Sequence, residues 1–202
     1  MKLGKEVTAQ EVLALKPHSI LVATGSNVIS IPLEGLDQVQ TVQAHDVLAN
    51  DMQFANKKVV VIGGGITGLE TALYINRQGT NQVSVVDMLP EWPVDMLDMR
   101  YQNEALLEVR HCNDQGVALF YNNKVVKFAD GKLFIESTKD GEVKELPADV
   151  IVLSVGVKPN DALWQELLAS GHPSVWKAGD AIATGKINKA VLHGSKFGYS
   201  LN

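Results

Sequence analysis

Three glycines and one acid are the residues of this sequence whose spacing most clearly suggests chemistry. Gly63, Gly65 and Gly68 follow the apolar run "VVVI" and fit the spacing G-x-G-x-x-G. In such a turn the first glycine makes the bend out of a strand, the second lets the backbone approach a pyrophosphate, and the third lets a helix pack closely. Asp87 follows Gly68 by 19 positions, near the roughly 20-residue offset at which an acid binds adenosine ribose hydroxyls. Together they predict a dinucleotide-binding turn.

The residues around this pattern bear on which dinucleotide is bound. Ile66 and Thr67 are expected in the first turn of a helix, where free N–H groups and the helix dipole favour a pyrophosphate. The Asp87 carboxylate would repel the 2′-phosphate of NADP by roughly 4 kcal/mol at about 4 Å and an effective dielectric near 20. The residues that follow, "MLPEWP", supply no arginine or lysine to offset this charge. The sequence therefore favours NAD(H), or a plain ADP group, over NADP(H).

The glycine turn needs a strand before it and a helix after it, and the surrounding pattern predicts both. Strand, helix and strand are expected at 59–62, 65–78 and 82–87, the length of a parallel βαβ crossover. A helix over 99–112 and the run "VALFY" continue the parallel pattern. The runs "KVVKFA", "KLFIEST" and "EVKELP" are separated by Asp-Gly turn signals and predict an antiparallel meander. The fold class is therefore α/β, a Rossmann-type parallel sheet with an antiparallel β-meander.

Composition argues against several other classes of function. The 202 residues carry a net charge of −5 with a pI of about 5.5, which does not suit nucleic acid or an anionic membrane. No signal peptide and no run long enough for a membrane span occur, so a cytoplasmic protein is expected. The single cysteine, Cys112, excludes an internal disulfide or a cysteine-ligated cluster built from this chain alone. Metal-ligand spacing and histidines at catalytic spacing are also absent from the sequence, so redox chemistry must come from a bound cofactor.

Motifs beyond the glycine turn extend over nearly the whole chain. They occur in the order "LVATGS", "IPLEG", "VIGGGITGLETA", "LSVGVKPN" and "VWKAGDA". In this order they resemble flavoproteins with two dinucleotide-binding domains, whose pyridine-nucleotide site has the form G-G-G-x-x-G-x-E. More narrowly, "VVDMLPEWPVDM" and "KINKAVLHGSKFG" are similar to the carboxy-terminal region of old-yellow-enzyme-like NADH:flavin oxidoreductases, the group of 2,4-dienoyl-CoA reductase and trimethylamine dehydrogenase.

That resemblance implies a domain plan. An NAD(H)-binding Rossmann domain at 46–148 would be inserted into a truncated FAD-type domain formed by 1–45 and 149–202, whose first βαβ unit is missing. The chain is therefore expected to begin in mid-domain, as part of a larger enzyme with an amino-terminal barrel that carries FMN and an iron–sulfur cluster. The expected partners are that flavin barrel, the FAD half-domain and a dinucleotide. The oligomeric state is left open, a homo-oligomer included.

The resemblance also assigns flavin contacts in the outer domain. Thr24 and Gly25 of "ATG" would lie near the flavin nucleotide. Asp180 of "GDA" would hydrogen-bond the ribityl chain, and Gly179 would allow its close approach. Each of these roles is carried over by position in the motif.

Two further residues have competing explanations. By resemblance, Glu70 would face the nicotinamide and flavin end of the cofactors, but a solvated glutamate that complements the helix dipole explains it equally well. Gly156 would leave room for the nicotinamide, and a simple turn at the end of a strand is the alternative.

The function hypothesis combines these features. The chain would be the nucleotide-binding portion of an NADH-dependent flavin oxidoreductase, in which the glycine turn and Asp87 position NADH for hydride transfer to a flavin. No residue here is predicted to be catalytic, and the isolated chain is expected to show little or no turnover. One alternative is a non-catalytic module that holds ADP or another adenosine nucleotide for structural reasons, as in a trimethylamine-dehydrogenase-like enzyme. Another is part of a different NADH-linked flavoprotein, such as a ferredoxin or nitrite reductase.

Overall fold

The chain divides into two units, one of them built from its two terminal segments. A computed structural model describes residues 1–90 and 99–201, with side chains for 1–90 and 106–201. The smaller unit combines Met1–Ile29 with Val157–Asn202, and the larger unit is Ser30–Gly156. The segment "EWPVDMLD", part of one motif behind the narrower family resemblance, lies outside the described residues.

Helices and strands alternate along most of the chain. Helices α1 to α6 span Ala9–Ala14, Ala44–Ala49, Ile66–Asn76, Met99–Asp114, Ala162–Ala169 and Ile187–Ser200. Strands β1 to β12 span Ile20–Val22, Ser26–Val28, Gln40–Gln43, Lys58–Ile62, Gln82–Val86, Ala118–Phe120, Asn123–Ala129, Lys132–Ser137, Val143–Pro147, Val150–Leu153, Val157–Pro159 and Val175–Lys177. The predicted βαβ unit therefore corresponds to β4, α3 and β5, with each end within two residues of its expected place.

The larger unit is built on a parallel sheet of five strands in the order β3-β10-β4-β5-β6. β7, β8 and β9 form a separate antiparallel meander. Together these sheets and the helices confirm the predicted α/β class. β3 and β10, which the predicted boundaries at 45 and 149 place in the outer domain, pair here within the sheet of the larger unit.

The parallel sheet is the middle of three layers, because its central strands are apolar on both faces. Val59 and Val61 of β4 belong to a buried cluster with side chains of α2, α3 and α4. Val60 and Ile62 point the other way and pack against side chains of the meander. Because both faces of β4 are covered, its backbone can meet a ligand only beyond the carboxyl end of the strand, after Ile62.

The smaller unit has a modest core of its own. Parallel strands β1 and β12 pair from Ile20 opposite Val175 to Val22 opposite Lys177. Ile20, Val22 and Leu167 of α5 are buried together, with α1 packed against them. A second, antiparallel pair joins β2 to β11. In the part of the chain that the structure describes, every helix is too short or too polar to cross a bilayer.

Candidate dinucleotide-binding site

Two glycines of the turn between β4 and α3 are required by the fold itself. Gly63 has a φ of +111°, and a Cβ added there would lie 2.2 Å from the carbonyl oxygen of Ser154. A Cβ added to Gly68 would lie 1.9 Å from the carbonyl oxygen of Gly63. Both clashes are with backbone atoms, which cannot rotate away. Gly63 therefore lets the turn pack against the segment after β10, and Gly68 lets α3 pack against the turn.

Gly65 differs from Gly63 and Gly68, because its surroundings and backbone conformation would accept another residue. It is the N-cap of α3 with φ −71° and ψ 174°, a conformation open to any residue. A Cβ added to Gly65 meets no atom within 4 Å. Among the described residues no side chain caps α3 and its first turn carries no acid. The N–H groups at the start of the helix are therefore available to an anion.

Asp87 follows β5, and backbone N–H groups hold both of its carboxylate oxygens. Gly64 N donates to Oδ2 at 2.6 Å, and Leu89 N donates to Oδ1 at 2.8 Å. Each carboxylate oxygen has a second lone pair, so ribose hydroxyls can still donate to it. The acid thus fastens the glycine turn to the segment after β5 and keeps acceptor capacity for a ligand.

A cavity of about 480 Å³ opens over the turn, within the roughly 300–1,000 Å³ usual for small-molecule sites. We name it the glycine-turn cavity. Four of the predicted site residues line it, namely Gly63, Gly65, Asp87 and Gly156. Ile31, Leu89 and Val125 add apolar side chains to the lining. The cavity therefore offers both an anion-binding helix start and apolar walls suited to flat rings.

Two further predicted residues of the turn, Ile66 and Thr67, follow Gly65 directly in the chain but are not part of the cavity lining. Ile66 and Thr67 open the first turn of α3, with Thr67 exposed and Ile66 half-buried. On the other side, Ser154 N donates to Ile62 O at 2.8 Å, which places the segment after β10 next to the end of β4. Gly156 in that segment has a φ of +94°. A glycine at position 156 therefore suits a simple turn at the end of a strand, which was the alternative explanation. The same residue also lines the cavity.

Glu70 lies elsewhere. Its side chain is exposed on α3 and lines a second cavity of about 640 Å³, between α3 and α4. Asp51, Arg77 and His111 line the same cavity. The structure therefore does not bring Glu70 together with the glycine-turn cavity, and its role at the nicotinamide and flavin end stays a prediction.

The predicted flavin contacts meet in the smaller unit. Because β1 and β12 are parallel neighbours, the segments "ATG" and "GDA" leave the same edge of that sheet. Thr24 Oγ1 donates to the carbonyl oxygen of Asn160. Asp180 accepts from Ser26 Oγ at 3.4 Å and from Gly185 N at 3.1 Å. Gly25 and Gly179 have φ values of +75° and +62°. A flavin role for these four residues stays a prediction.

Sequence reasoning missed several residues of the glycine-turn cavity. Ser154 supplies the carbonyl against which Gly63 packs, and Lys124 is one of the lining residues. Their positions depend on pairings between distant segments, so spacing alone could not have identified them. The described residues contain no group of three or more histidine, cysteine, aspartate or glutamate side chains able to hold a metal ion.

The fold and the glycine turn define an α/β dinucleotide-binding domain. The chain belongs to the pyridine nucleotide-disulphide oxidoreductase family, whose model matches residues 2–194. This family implies binding of FAD and NAD(P), which supports the flavoprotein class expected from the motif order.

Individual relatives agree with that assignment. The NADH oxidase of Thermoanaerobacter brockii is 30% identical over 209 residues, covering 100% of this chain and 30% of the oxidase. The bilirubin reductase of Mediterraneibacter gnavus is 33% identical over 160 residues, covering 79% of this chain and 24% of the reductase. A solved 2-naphthoyl-CoA reductase in complex with 2-naphthoyl-CoA superposes with a TM-score of 0.82 and 26% identity, over 98% of this chain and 29% of that protein. The chain thus spans less than a third of the length of each of these relatives.

Proposed function

We propose that this chain is the nucleotide-binding portion of an old-yellow-enzyme-like NADH:flavin oxidoreductase. The proposal rests on the glycine at position 65. The fold would accept a side chain there, yet the position is a glycine that lines a cavity at the uncapped start of α3. A ligand whose phosphates approach the backbone explains it. Two relatives, an NADH oxidase and a 2-naphthoyl-CoA reductase, support an NADH-linked reduction as the activity of the whole protein.

The residues of the larger unit have distinct tasks in this proposal. The N–H groups at the start of α3 bind the pyrophosphate, Asp87 accepts from the adenosine ribose, and Gly156 leaves the far wall open for the nicotinamide. A bound nicotinamide supplies the hydride that reduces a flavin. The chain's contribution is to hold the reacting carbon in position, which is how a protein accelerates cofactor chemistry.

Ligand-dependent thermal stability tests this function. NADH, ADP and NADPH are compared at one common concentration on the wild-type chain, on Gly65→Val and on a matched control, Gly194→Val. Gly194 lies in α6 of the smaller unit, and a Cβ added there also meets no atom within 4 Å. NADH at a hundred times its dissociation constant adds about 2.7 kcal/mol to the stability of the state that binds it. We expect this shift in the wild type and in Gly194→Val, and its loss in Gly65→Val.

The other ligands separate the proposal from its competitors. A larger shift with NADPH than with NADH would contradict the role of Asp87. Equal shifts with ADP and NADH would mean that the nicotinamide half makes no contact, and would favour a module that holds an adenosine nucleotide for structural reasons. An NADH shift that survives in Gly65→Val would refute the assignment of the site.

A further inference from the structure

Among the described residues, two that line the glycine-turn cavity carry a charge, and the two charges have opposite signs. One is Asp87 and the other is Lys124, at the second position of β7. They are close in the fold because the start of the meander is bonded to the segment after β5. Asn123 N donates to Asp87 O and Asn122 N donates to Leu89 O, each at 2.9 Å. Lys124 is therefore a lining residue on the same side of the cavity as the acid that binds the adenosine ribose in the proposed function.

Lys124 has a partner on the neighbouring strand. Its Nζ lies 2.8 Å from Glu136 Oε1, and the two residues are directly opposite each other in the β7–β8 ladder. The side chains are 49% and 33% exposed, and an ion pair at such exposure contributes little to stability. Its larger effect is on charge, because Glu136 offsets the positive charge of Lys124, a residue of the cavity lining.

We propose that this pair, together with Asp87, determines the choice between the two nicotinamide dinucleotides. An adenosine 2′-phosphate carried by NADPH would lie beside Asp87, and Lys124 is the cation that could bind it. Glu136 holds that cation as an ion pair, so the site presents a net negative charge to the 2′-phosphate and accepts the free ribose hydroxyls of NADH. Glu136 is thus a positioning residue that acts through Lys124. The inference rests on the proposed function, because it requires a dinucleotide with its adenosine ribose at Asp87.

The test is the ratio of the dissociation constants of NADPH and NADH, measured by isothermal titration calorimetry. In Glu136→Gln the freed Lys124 is expected to improve NADPH binding about five- to tenfold, while NADH changes by less than about twofold. The gain should fall steeply between 0.05 and about 0.5 M KCl, since exposed charges are screened over a Debye length. A mere effect on folding would change both ligands alike and would show no such salt dependence.

Two further variants make the test specific. Lys132 and Glu145 form a similarly exposed Lys–Glu pair in the same meander, and neither lines the glycine-turn cavity. Glu145→Gln should therefore leave the NADPH to NADH ratio unchanged. In the double variant Lys124→Met with Glu136→Gln the ratio should return to the wild-type value or above it, because the cation that binds the 2′-phosphate is gone.

The outcomes distinguish this inference from the proposed function. NADH binding to the wild type with the same ratio in Glu136→Gln would overturn the inference alone. An improvement that persists in the double variant would overturn it as well, because the effect would then bypass Lys124. Failure of the wild-type chain to bind NADH at all would overturn both proposals.

Discussion

Replacing the three glycines of the turn one at a time separates what the fold needs from what a ligand needs. In Gly68→Ala the new Cβ would lie 1.9 Å from a backbone oxygen, far inside van der Waals contact. Relief requires α3 to move away from β4, through a core in which Leu69 and Val59 are each 1% exposed. Overpacking of this kind costs about 1–3 kcal/mol when side chains can adjust, so we expect a loss of about 3 kcal/mol or more. Gly63→Ala should cost at least as much, because its left-handed φ adds strain.

Gly65→Ala should behave differently. Alanine has less conformational freedom than glycine in the unfolded chain, which stabilises the folded protein by about 0.4–1 kcal/mol where the backbone conformation accepts alanine. Alanine is also a poorer N-cap residue than glycine, which costs a similar amount. The two effects nearly cancel, so the stability of the unliganded chain should change by less than about 1 kcal/mol. Gly65→Ser adds a good capping side chain and should raise stability by about 1 kcal/mol.

Urea unfolding followed by circular dichroism, without nucleotide, measures these differences. With a urea slope of about 1–3 kcal/mol per molar, a loss of 3 kcal/mol in Gly68→Ala lowers the midpoint by about 1 M or more, while Gly65→Ala stays close to wild type. If Gly65→Ala lost as much stability as Gly68→Ala, glycine at 65 would be a demand of the fold. The central observation for nucleotide binding would then be lost.

Two other predictions concern residues away from the cavity. Burial raises the pKa of the Cys112 thiol to about 11 from an ordinary value near 9.0, so the unfolded chain releases this proton first as the pH rises. The free energy of unfolding should therefore decline between about pH 9 and 11. Urea midpoints should fall less steeply with pH in Cys112→Ala than in the wild type, and an equal fall in both would contradict the raised pKa of Cys112. Gln78 accepts from Phe54 N at 2.7 Å and donates to Met52 O at 2.9 Å. Gln78→Leu should cost about 1–3 kcal/mol in the same assay, because both backbone groups lose a partner; an unchanged urea midpoint would contradict this role.

The sheet around the site could be predicted because its signals are local. β4, α3 and β5 combine apolar runs with a glycine turn, and the meander has Asp-Gly turns between its strands. β3 was missed because Gln40–Gln43 is a polar edge strand without an apolar pattern. It is defined by its pairing with β10, more than a hundred positions later. The pairing of β2 with β11 depends on contacts of the same long range.

The site shows the same division between local and distant determinants. Gly63, Gly65, Gly68 and Asp87 have a fixed spacing, so the sequence alone was enough to predict a glycine turn and an acid at the end of the next strand. Lys124 carries no such signal, because it reaches the cavity only through the backbone hydrogen bonds between the meander and the segment after β5. The acid was predicted as a ribose ligand, but its bonds to the N–H groups of Gly64 and Leu89 could not be predicted from spacing.

Those bonds give Asp87 two tasks that a substitution there cannot separate. The carboxylate orders the glycine turn before a ligand arrives, and such preorganisation lowers the cost of binding. Asp87→Asn would place an NH₂ group opposite one of two backbone donors, so turn order and charge would change together. Among the described residues no hydrogen bond joins Glu136 to the turn, and its side chain is 33% exposed, so its substitution alters charge and leaves the turn in place. Cofactor preference is therefore more clearly tested at the Lys124–Glu136 pair than at the acid that the sequence motif identifies.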